Sequence, residues 1–472
     1  MSQRKRYLAK NTALFALNTI GTKLIHFLLV PMYTKAFTTS EYGVIDLVVT
    51  IGTILVPIIT INIGEAVMRF ALDEDANRND IISIGIFYAI LSSVLGLSAY
   101  AVVSFFPQIT VSGTLVYLYC LSQGLYRTFA CNLRGQEKLF HFALGNILNT
   151  FAAAALNILF LITLKLGING YFYAYILANL ISFAYCVAAG NVAATFRNFR
   201  INKPLMKKMV IYAVVLVPNS LMWWIMNSSD HIMVTAMIGI AANGIYAISY
   251  KIPSILSSLS TVFNQAWSYS AIHENKSSDR ETFNNTMYDK LVRFQLIITS
   301  LLMLVMRPFL RIYVQPAYYE AWKYTPYLLV GYFFLTMGTF LSTIYTVQKD
   351  SRGFLFSGSV GAVMNICLNW LLIPVWGVHG AAFATCISYM TVFAYRIIDT
   401  RKYMVIHVLK PEYILGYILL IITGISMAVP TPSGYILMSA EVALIMFINR
   451  HFIGECIQMI GSILNKVLKR RK

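Results

Sequence analysis

The chain is 472 residues long, 58% hydrophobic and only 12% charged, with a mean hydropathy of +0.66. A soluble globule of this composition would lack the polar residues to cover its surface. The net charge of +18 comes from Lys and Arg spread over loops and tails, which excludes the concentrated basic face of a nucleic-acid-binding domain.

Taken in chain order, the sequence predicts fourteen apolar stretches at about 11–35, 42–70, 80–105, 110–133, 140–164, 168–193, 208–237, 241–272, 289–314, 323–347, 354–376, 378–399, 411–429 and 434–453. As helices rising about 1.5 Å per residue, stretches of about 19–30 residues cross a hydrocarbon core of about 30 Å. The fold class is therefore an all-α polytopic membrane protein. The longest internal polar loop is expected at 273–289.

Basic residues set the expected topology. Arg4, Lys5, Arg6 and Lys10 precede the first stretch, Arg197, Arg200, Lys203, Lys207 and Lys208 follow the sixth, and Lys466, Lys469, Arg470, Arg471 and Lys472 close the chain. The loops near 38–41, 106–110, 239–243, 376–379 and 430–433 almost lack Lys and Arg. The positive-inside rule then puts both termini in the cytoplasm. No cleavage pattern follows the first stretch, which is expected to remain as the first helix.

The six cysteines and seven histidines are scattered, without C-x-x-C or H-E-x-x-H spacing, so neither a disulfide nor a metal site is expected. No cofactor is expected, and without a P-loop any energy would come from a proton or sodium gradient, the membrane potential or the cargo gradient.

An internal repeat organises the chain. The segment around Glu41-Tyr42-Gly43-Val44-Ile45 lies over Ala242-Asn243-Gly244-Ile245-Tyr246, and in the same register Thr34 falls on Thr235 and Asn18 on Asn219. Further on, Gly167-Ile168-Asn169-Gly170 matches Gly377-Val378-His379-Gly380, and Phe183-Ala184-Tyr185 matches Phe393-Ala394-Tyr395. Spans one to six therefore repeat as spans seven to twelve in the same orientation. The expected domains are an N-lobe over 1–196, a basic cytoplasmic linker over 197–207, a C-lobe over 208–400, and two further helices with a basic tail over 401–472.

Several motifs carry a family resemblance: Pro31-Met32-Tyr33-Thr34, Glu41-Tyr42-Gly43 with Asp46-Leu47, Gly64-Glu65-Ala66-Val67-Met68-Arg69-Phe70, Asp230-His231, Lys251-Ile252-Pro253-Ser254, Phe263-Asn264-Gln265-Ala266-Trp267, and Asn365 through Asn369 to Pro374. With them the chain resembles Wzx-type polysaccharide repeat-unit (O-antigen) flippases of the multidrug/oligosaccharidyl-lipid/polysaccharide (MOP) exporter superfamily. The resemblance implies a V-shaped, MATE-like fold of two six-helix lobes, alternating access through a cleft lined by spans one, two, seven and eight, and an undecaprenyl-pyrophosphate-oligosaccharide cargo. It also implies a place in O-antigen or capsule biosynthesis at the bacterial inner membrane.

Charged side chains inside spans cost about 2.5–3.5 kcal/mol each at a helix centre and need a reason to be there. Lys23 lies midway along the first span with His26 at i+3, and Lys251 lies about 15 Å into the eighth. From different lobes, the two lysines are expected to close on the pyrophosphate; the alternative is a buried ion pair, for Lys23 with Asp46, Glu65 or Asp230, and a buried pair likewise for Lys251. Arg127 and Arg134 form a cationic stripe on the fourth span, read either as the cytoplasmic loading site or as an interfacial pair fixing topology.

Glu65 and Arg69, at i,i+4, are expected to pair, as a structural contact or an inner gate. Asp46 and Asp230 are candidates for proton or cation coupling. Trp267 and Tyr250 are candidates for sugar stacking. Arg307 and Arg311, at i,i+4 near the outer end of the ninth span, are expected to pair with Glu320, the alternative being an outer phosphate-release patch, and Glu441 to mark a contact between the two last helices and the lobes. Pro218 and Pro253 are candidate hinges.

Three function classes follow from this reading. A lipid-linked oligosaccharide flippase accounts for the motifs and the central lysines, with lipid II as a narrower alternative cargo. A drug/cation antiporter on the same fold would want an acidic cavity. A membrane enzyme would want a sizeable catalytic segment outside the bilayer, and none is present. Expected partners are the lipid-linked cargo, membrane lipids, a polysaccharide polymerase and a chain-length regulator.

Overall fold

A computed structural model describes residues 3–73, 77–273 and 279–469, with side chains described from residue 20 onward apart from some in 196–197, 219, 262–278 and 459–469. The side chains of Arg4, Lys5, Arg6, Lys10, Asn18, Arg197, Asn219, Gln265, Ala266, Lys466 and Lys469, and the residues Arg470, Arg471 and Lys472, lie outside that description.

The described residues fold as helices joined by short connections. Helices α1 (Gln3–Ala36), α2 (Thr39–Ile59), α3 (Ile63–Ala71), α4 (Arg78–Leu95), α5 (Ser98–Phe105), α6 (Gly113–Gly135), α7 (Leu139–Asn157), α8 (Gly167–Ala189) and α9 (Val192–Arg197) lead to α10 (Lys203–Met237) and α11 (Ile240–Ser249). There follow α12 (Lys251–His273), α13 (Arg280–Tyr313), α14 (Thr325–Gln348), α15 (Ser351–Trp376), α16 (Val378–Thr400), α17 (Pro411–Ser426), α18 (Ser433–Ile448) and α19 (Arg450–Lys469). Each apolar stretch expected from the sequence coincides with one helix or a broken pair.

The breaks have local causes. Ile61 and Asn62 both take left-handed backbone, φ 51°, and end α2 before α3 begins. The start of α2 is fixed by a capping box in which Thr38 Oγ1 accepts from Glu41 N and Glu41 Oε2 accepts from Thr38 N, a reciprocal pairing of otherwise orphaned amides. α7 ends in a π-helical turn, Ile158–Thr163.

Among the described residues, nine helical segments are long and apolar enough to cross a membrane, ten if the bent pair α18–α19 counts as one. α1, α6 and α12 reach spanning length but are not among them; α6 carries Arg127, Asn132 and Arg134, and α1 carries Lys23 and His26. α11 and α17 are apolar but short. The expected polar loop 273–289 is helix from Arg280 onward. Hydropathy there reports exposure to water, not loss of helix.

Packing divides the chain into two compact units. Unit 1 holds residues 1–251 with 313–319 and 366–381; unit 2 holds 252–312, 320–365 and 382–472. In unit 1, Ile63, Ala66 and Val67 of α3, Ile81, Ile84 and Tyr88 of α4 and Met209 and Ala213 of α10 form one apolar core. A second core joins Ile82 and Ile86 to Phe129, Leu133, Cys186 and Val192. α2 packs closely along α11 and α10, and that contact positions the site described next.

In unit 2, Trp267 stacks on Phe340 at 4.8 Å, and Gln295 and Thr336 both donate to Ser260 Oγ, at 2.7 and 3.0 Å. Arg396 is 1% exposed; it donates to Ser357 Oγ and to the Gly338 carbonyl and lies over the Phe354 ring.

Candidate functional site

A group of buried and half-buried polar side chains in unit 1 forms where α2, the last turns of α10, and α11 meet. Asp46 points from α2, Asp230 and His231 from α10, Asn243 and Tyr246 from α11, and Tyr250 from the residue that caps α11. His231 Nδ1 lies 2.7 Å from Asp46 Oδ2, and Asn243 Nδ2 donates to the same oxygen at 3.1 Å. With Nδ1–H donating to the carboxylate, Nε2 is the ring nitrogen left to gain or lose a proton.

Asp230 is held by a second set of donors. The Tyr246 hydroxyl donates to Oδ2 at 2.7 Å, the Tyr250 hydroxyl donates to the same oxygen, and the His231 backbone amide donates to Oδ1 at 3.1 Å. The His231 ring lies 5.1 and 4.9 Å from the rings of these tyrosines. Asp230 is 1% exposed and His231 6%. Burial of two carboxylates is sustained only because each accepts several hydrogen bonds and the histidine lies between them.

A cationic group adjoins this network. Lys251 follows Tyr250 at the start of α12, and its Nζ lies 5.8 Å from the centre of the Tyr42 ring. Lys251 and Lys23 are near enough for their charges to repel, and His26 feels both. Lys251 also acts on Asp46 and His231, so cationic and acidic groups form one electrostatic neighbourhood. Lys23 is exposed on α1 and has no ion pair among the described residues; the alternative pairing with Asp46, Glu65 or Asp230 does not occur. Both lysines belong to unit 1.

His26 Nδ1 lies 3.3 Å from the Tyr175 hydroxyl. Tyr175 packs against Tyr171, with ring centres 4.7 Å apart, and Tyr171 meets Tyr33 edge-on. The floor beside the lysines is thus a set of tyrosines.

The remaining expected residues fall elsewhere. Arg69 pairs with Asp73 at 2.5 Å, not with Glu65; Glu65 turns toward Arg127 on α6, at 4.0 Å. Arg134 lies over the Phe142 ring at 5.4 Å. Trp267 is 4% exposed, covered by Phe340 and Phe283, and Tyr250 is committed to Asp230; neither ring face is offered to a sugar in this conformation. Glu320 pairs with Lys323, while Arg307 is buried against backbone carbonyls of α17's C-terminal end. Glu441 accepts from Ser426 of α17, so its contact is between the two last-span helices. Pro218 lies within an uninterrupted α10.

Sequence reasoning missed His231 as the bridge and Asn243 and Tyr246 as its companions. The signals available were the Asp230-His231 pair and the repeat register that sets Asn243 opposite Tyr42.

The all-helical membrane architecture is similar in fold to solved transporters. The MurJ lipid II flippase in an inward closed conformation superposes with a TM-score of 0.65 over 94% of this chain and 100% of that chain, at 12% identity. An inward-facing multidrug resistance MATE transporter of the MOP superfamily gives 0.64 over 82% and 97%, at 14% identity. A MOP-superfamily transporter from Pyrococcus furiosus, in which reverse polarity of the binding pocket suggests a different function, gives 0.58 over 83% and 95%, at 14% identity. No curated protein matches the chain. The family described as "Polysaccharide biosynthesis protein" matches residues 8–269, more than half of the chain, and the chain belongs to it.

Proposed function

We propose that the protein is a flippase that moves undecaprenyl-pyrophosphate-linked oligosaccharide repeat units from the cytoplasmic to the outer leaflet of a bacterial inner membrane, for O-antigen or capsule synthesis. The observation that carries this reading is the grouping of Lys23, Lys251 and His26 beside a tyrosine floor, within the segment that matches the family. A pyrophosphate crossing a low-dielectric layer loses its hydration, and paired ammonium groups offset that loss. Counting α2–α3, α4–α5 and α11–α12 as one span each, and leaving out the short α9 and the terminal α19, gives fourteen spans, with both termini cytoplasmic by the basic loops. Spans one to twelve form two pseudo-symmetric lobes that alternate access, as the internal repeat suggests.

Arg127 and Arg134 serve as the loading site, and Glu65 with Arg127 replaces Glu65 with Arg69 as the candidate inner gate. Asp46, Asp230 and His231 serve as the coupling group. A polymerase and a chain-length regulator take the product.

The test is leaflet transfer of a lipid-linked oligosaccharide in proteoliposomes, comparing the intact chain with Lys23→Ala and Lys251→Ala at equal incorporation. Transfer lost in either variant supports the phosphate site. Transfer that survives both overturns the lysine assignment. Preferential transfer of lipid II, to whose flippase the fold is similar, would replace the cargo. Ion-driven efflux of organic cations without lipid transfer would replace the flippase with an antiporter.

A further inference from the structure

The first turns of α13 run beside the segment 404–410, which joins α16 to α17, and side chains of α13 tie the two together. Glu281 Oε1 accepts from the Val405 amide at 3.1 Å, Asn285 Oδ1 accepts from the His407 amide at 2.7 Å, and Asn285 Nδ2 donates to the Val405 carbonyl at 3.1 Å. Farther along α13, Arg293 bonds both Asp289 and Glu412, and the Tyr413 hydroxyl donates to Asp289. Both walls belong to unit 2, and the chain's own hydrogen bonds fix their spacing, which is the preorganisation a binding site needs.

Between the walls lies an open groove of about 560 Å³, lined by Glu281, Thr282, Thr286 and Asp289 on α13 and by His407 and Lys410 opposite. Small-molecule sites occupy roughly 300–1,000 Å³, so the groove has room for an organic ligand. Its polar groups are not all consumed by the fold. Among the described residues, Glu281 Oε2, the Thr282 hydroxyl, the His407 ring and the Lys410 ammonium make no hydrogen bond; Lys410 lies over the Tyr413 ring, 5.4 Å from its centre. Formal charges balance, Glu281 against Lys410 and Asp289 against Arg293. A phosphate would meet two carboxylates here, and a polyamine would meet the ammonium. Sugar hydroxyls, which both donate and accept, satisfy an acid, a hydroxyl, an imidazole and an ammonium together.

We propose that this groove binds a neutral sugar, on the side of the membrane that the basic loops assign to the cytoplasm. Glu281 Oε2 accepts from one hydroxyl of the ring, and Lys410 and His407 donate to others. The site is separate from the Lys23–Lys251 group, and it does not depend on what crosses the membrane.

The test is saturation-transfer NMR of the full chain in phosphatidylcholine nanodiscs, with glucose, galactose, rhamnose and N-acetylglucosamine as neutral probes and glucose 6-phosphate and spermidine as charged ones. At least one neutral sugar should take up saturation more strongly than either charged probe. His407→Ala with Lys410→Ala should weaken its binding by about tenfold or more, the equivalent of one lost charge-assisted hydrogen bond. Both side chains are exposed, so the unfolding midpoint of this variant should match the parent. Lys23→Ala with Lys251→Ala should leave the signal unchanged. Silence from every neutral sugar, or a signal that survives the groove variant, would overturn the inference. Stronger saturation of glucose 6-phosphate or spermidine would overturn the ligand class. Adding a lipid-linked oligosaccharide then separates two sources of such a sugar, both of which uphold the groove: displacement of the free sugar assigns it to a lipid head group, and persistence to a soluble ligand.

Discussion

Gly43 of α2 and Gly244 of α11 each lie against the first turn of the other's helix. A Cβ on Gly43 would stand 2.0 Å from the carbonyl oxygen of Ile240, and one on Gly244 would stand 1.9 Å from that of Thr39. In the repeat register Gly43 corresponds to Gly244 and Thr39 to Ile240, so the crossing is reciprocal, as at a local two-fold axis. Small residues allow such close backbone approach between helices in a membrane.

Gly43→Ala and Gly244→Ala are therefore expected to destabilise the protein by at least the roughly 1–3 kcal/mol typical of overpacking, because a backbone carbonyl, not a flexible side chain, must move. Gly358→Ala, which meets nothing within 4 Å, should be neutral or slightly stabilising. Thermal unfolding of the three purified variants checks this. Equal midpoints for Gly43→Ala and Gly358→Ala would contradict the crossing.

Asp46 and His231 should behave as one unit. Under the proposed coupling, Asp46→Asn and His231→Gln each abolish the response of transfer to an imposed proton gradient, and the double variant is no worse than either single one. A double-mutant cycle on stability should give a coupling of roughly 0.5–3 kcal/mol, as for residues in direct contact within one network. Flux measured with and without the gradient decides the first point. Additive losses would mean that the two side chains act separately.

Hydropathy placed the long apolar helices, because a lipid-crossing stretch needs an uninterrupted apolar run; it left most of α19 and the first turns of α13 as tail and loop. Pairings were less legible. Arg69 has an acid one turn away on either side, Glu65 and Asp73, and the favoured order of charges points to Glu65; α6 overrides it by offering Arg127 to Glu65. The contact of Asp46 with His231 joins residues far apart in sequence, and no local pattern announces it. Trp267 reads in the sequence as a candidate for sugar stacking, yet packing against Phe340 decides its position.

Arg307 illustrates how a buried charge can be structural. It is 7% exposed, donates to the carbonyls of Met427 and Val429, and its guanidinium lies 3.9 Å from the Trp322 ring centre. These carbonyls close α17, whose end lacks intrahelical donors. Arg307→Ala should cost roughly 3 kcal/mol or more from the charge-assisted bonds and the ring contact. Arg307→Lys should rescue little, since an ammonium cannot both stack and span the two acceptors. Glu320→Gln should change stability by less than about 1 kcal/mol, its partner Lys323 being at the surface. Unfolding midpoints of the three variants test the ranking.

Asp350, in the turn between α14 and α15, should make the protein acid-sensitive. Its carboxylate accepts from the Gly353 amide and the Tyr403 hydroxyl, both at 2.9 Å, with Lys402 at 3.6 Å. The Gly353 bond first, then Tyr403 and the Lys402 charge, hold its pKa below the ordinary carboxylate value. A depressed acid contributes stability that is present above the unfolded-state value, about 3.9, and is lost as the pH falls through the lower folded-state value. Asp350→Asn should therefore lower the unfolding midpoint at pH 7 and narrow its gap to the parent protein as the pH drops below about 4. The amide oxygen of Asn can still accept from Gly353, so the loss should be smaller than for Asp350→Ala, which removes the cap altogether. Unfolding midpoints of all three proteins between pH 7 and pH 3 test this, and a parent-to-Asn gap that is constant with pH would rule out the carboxylate as the source.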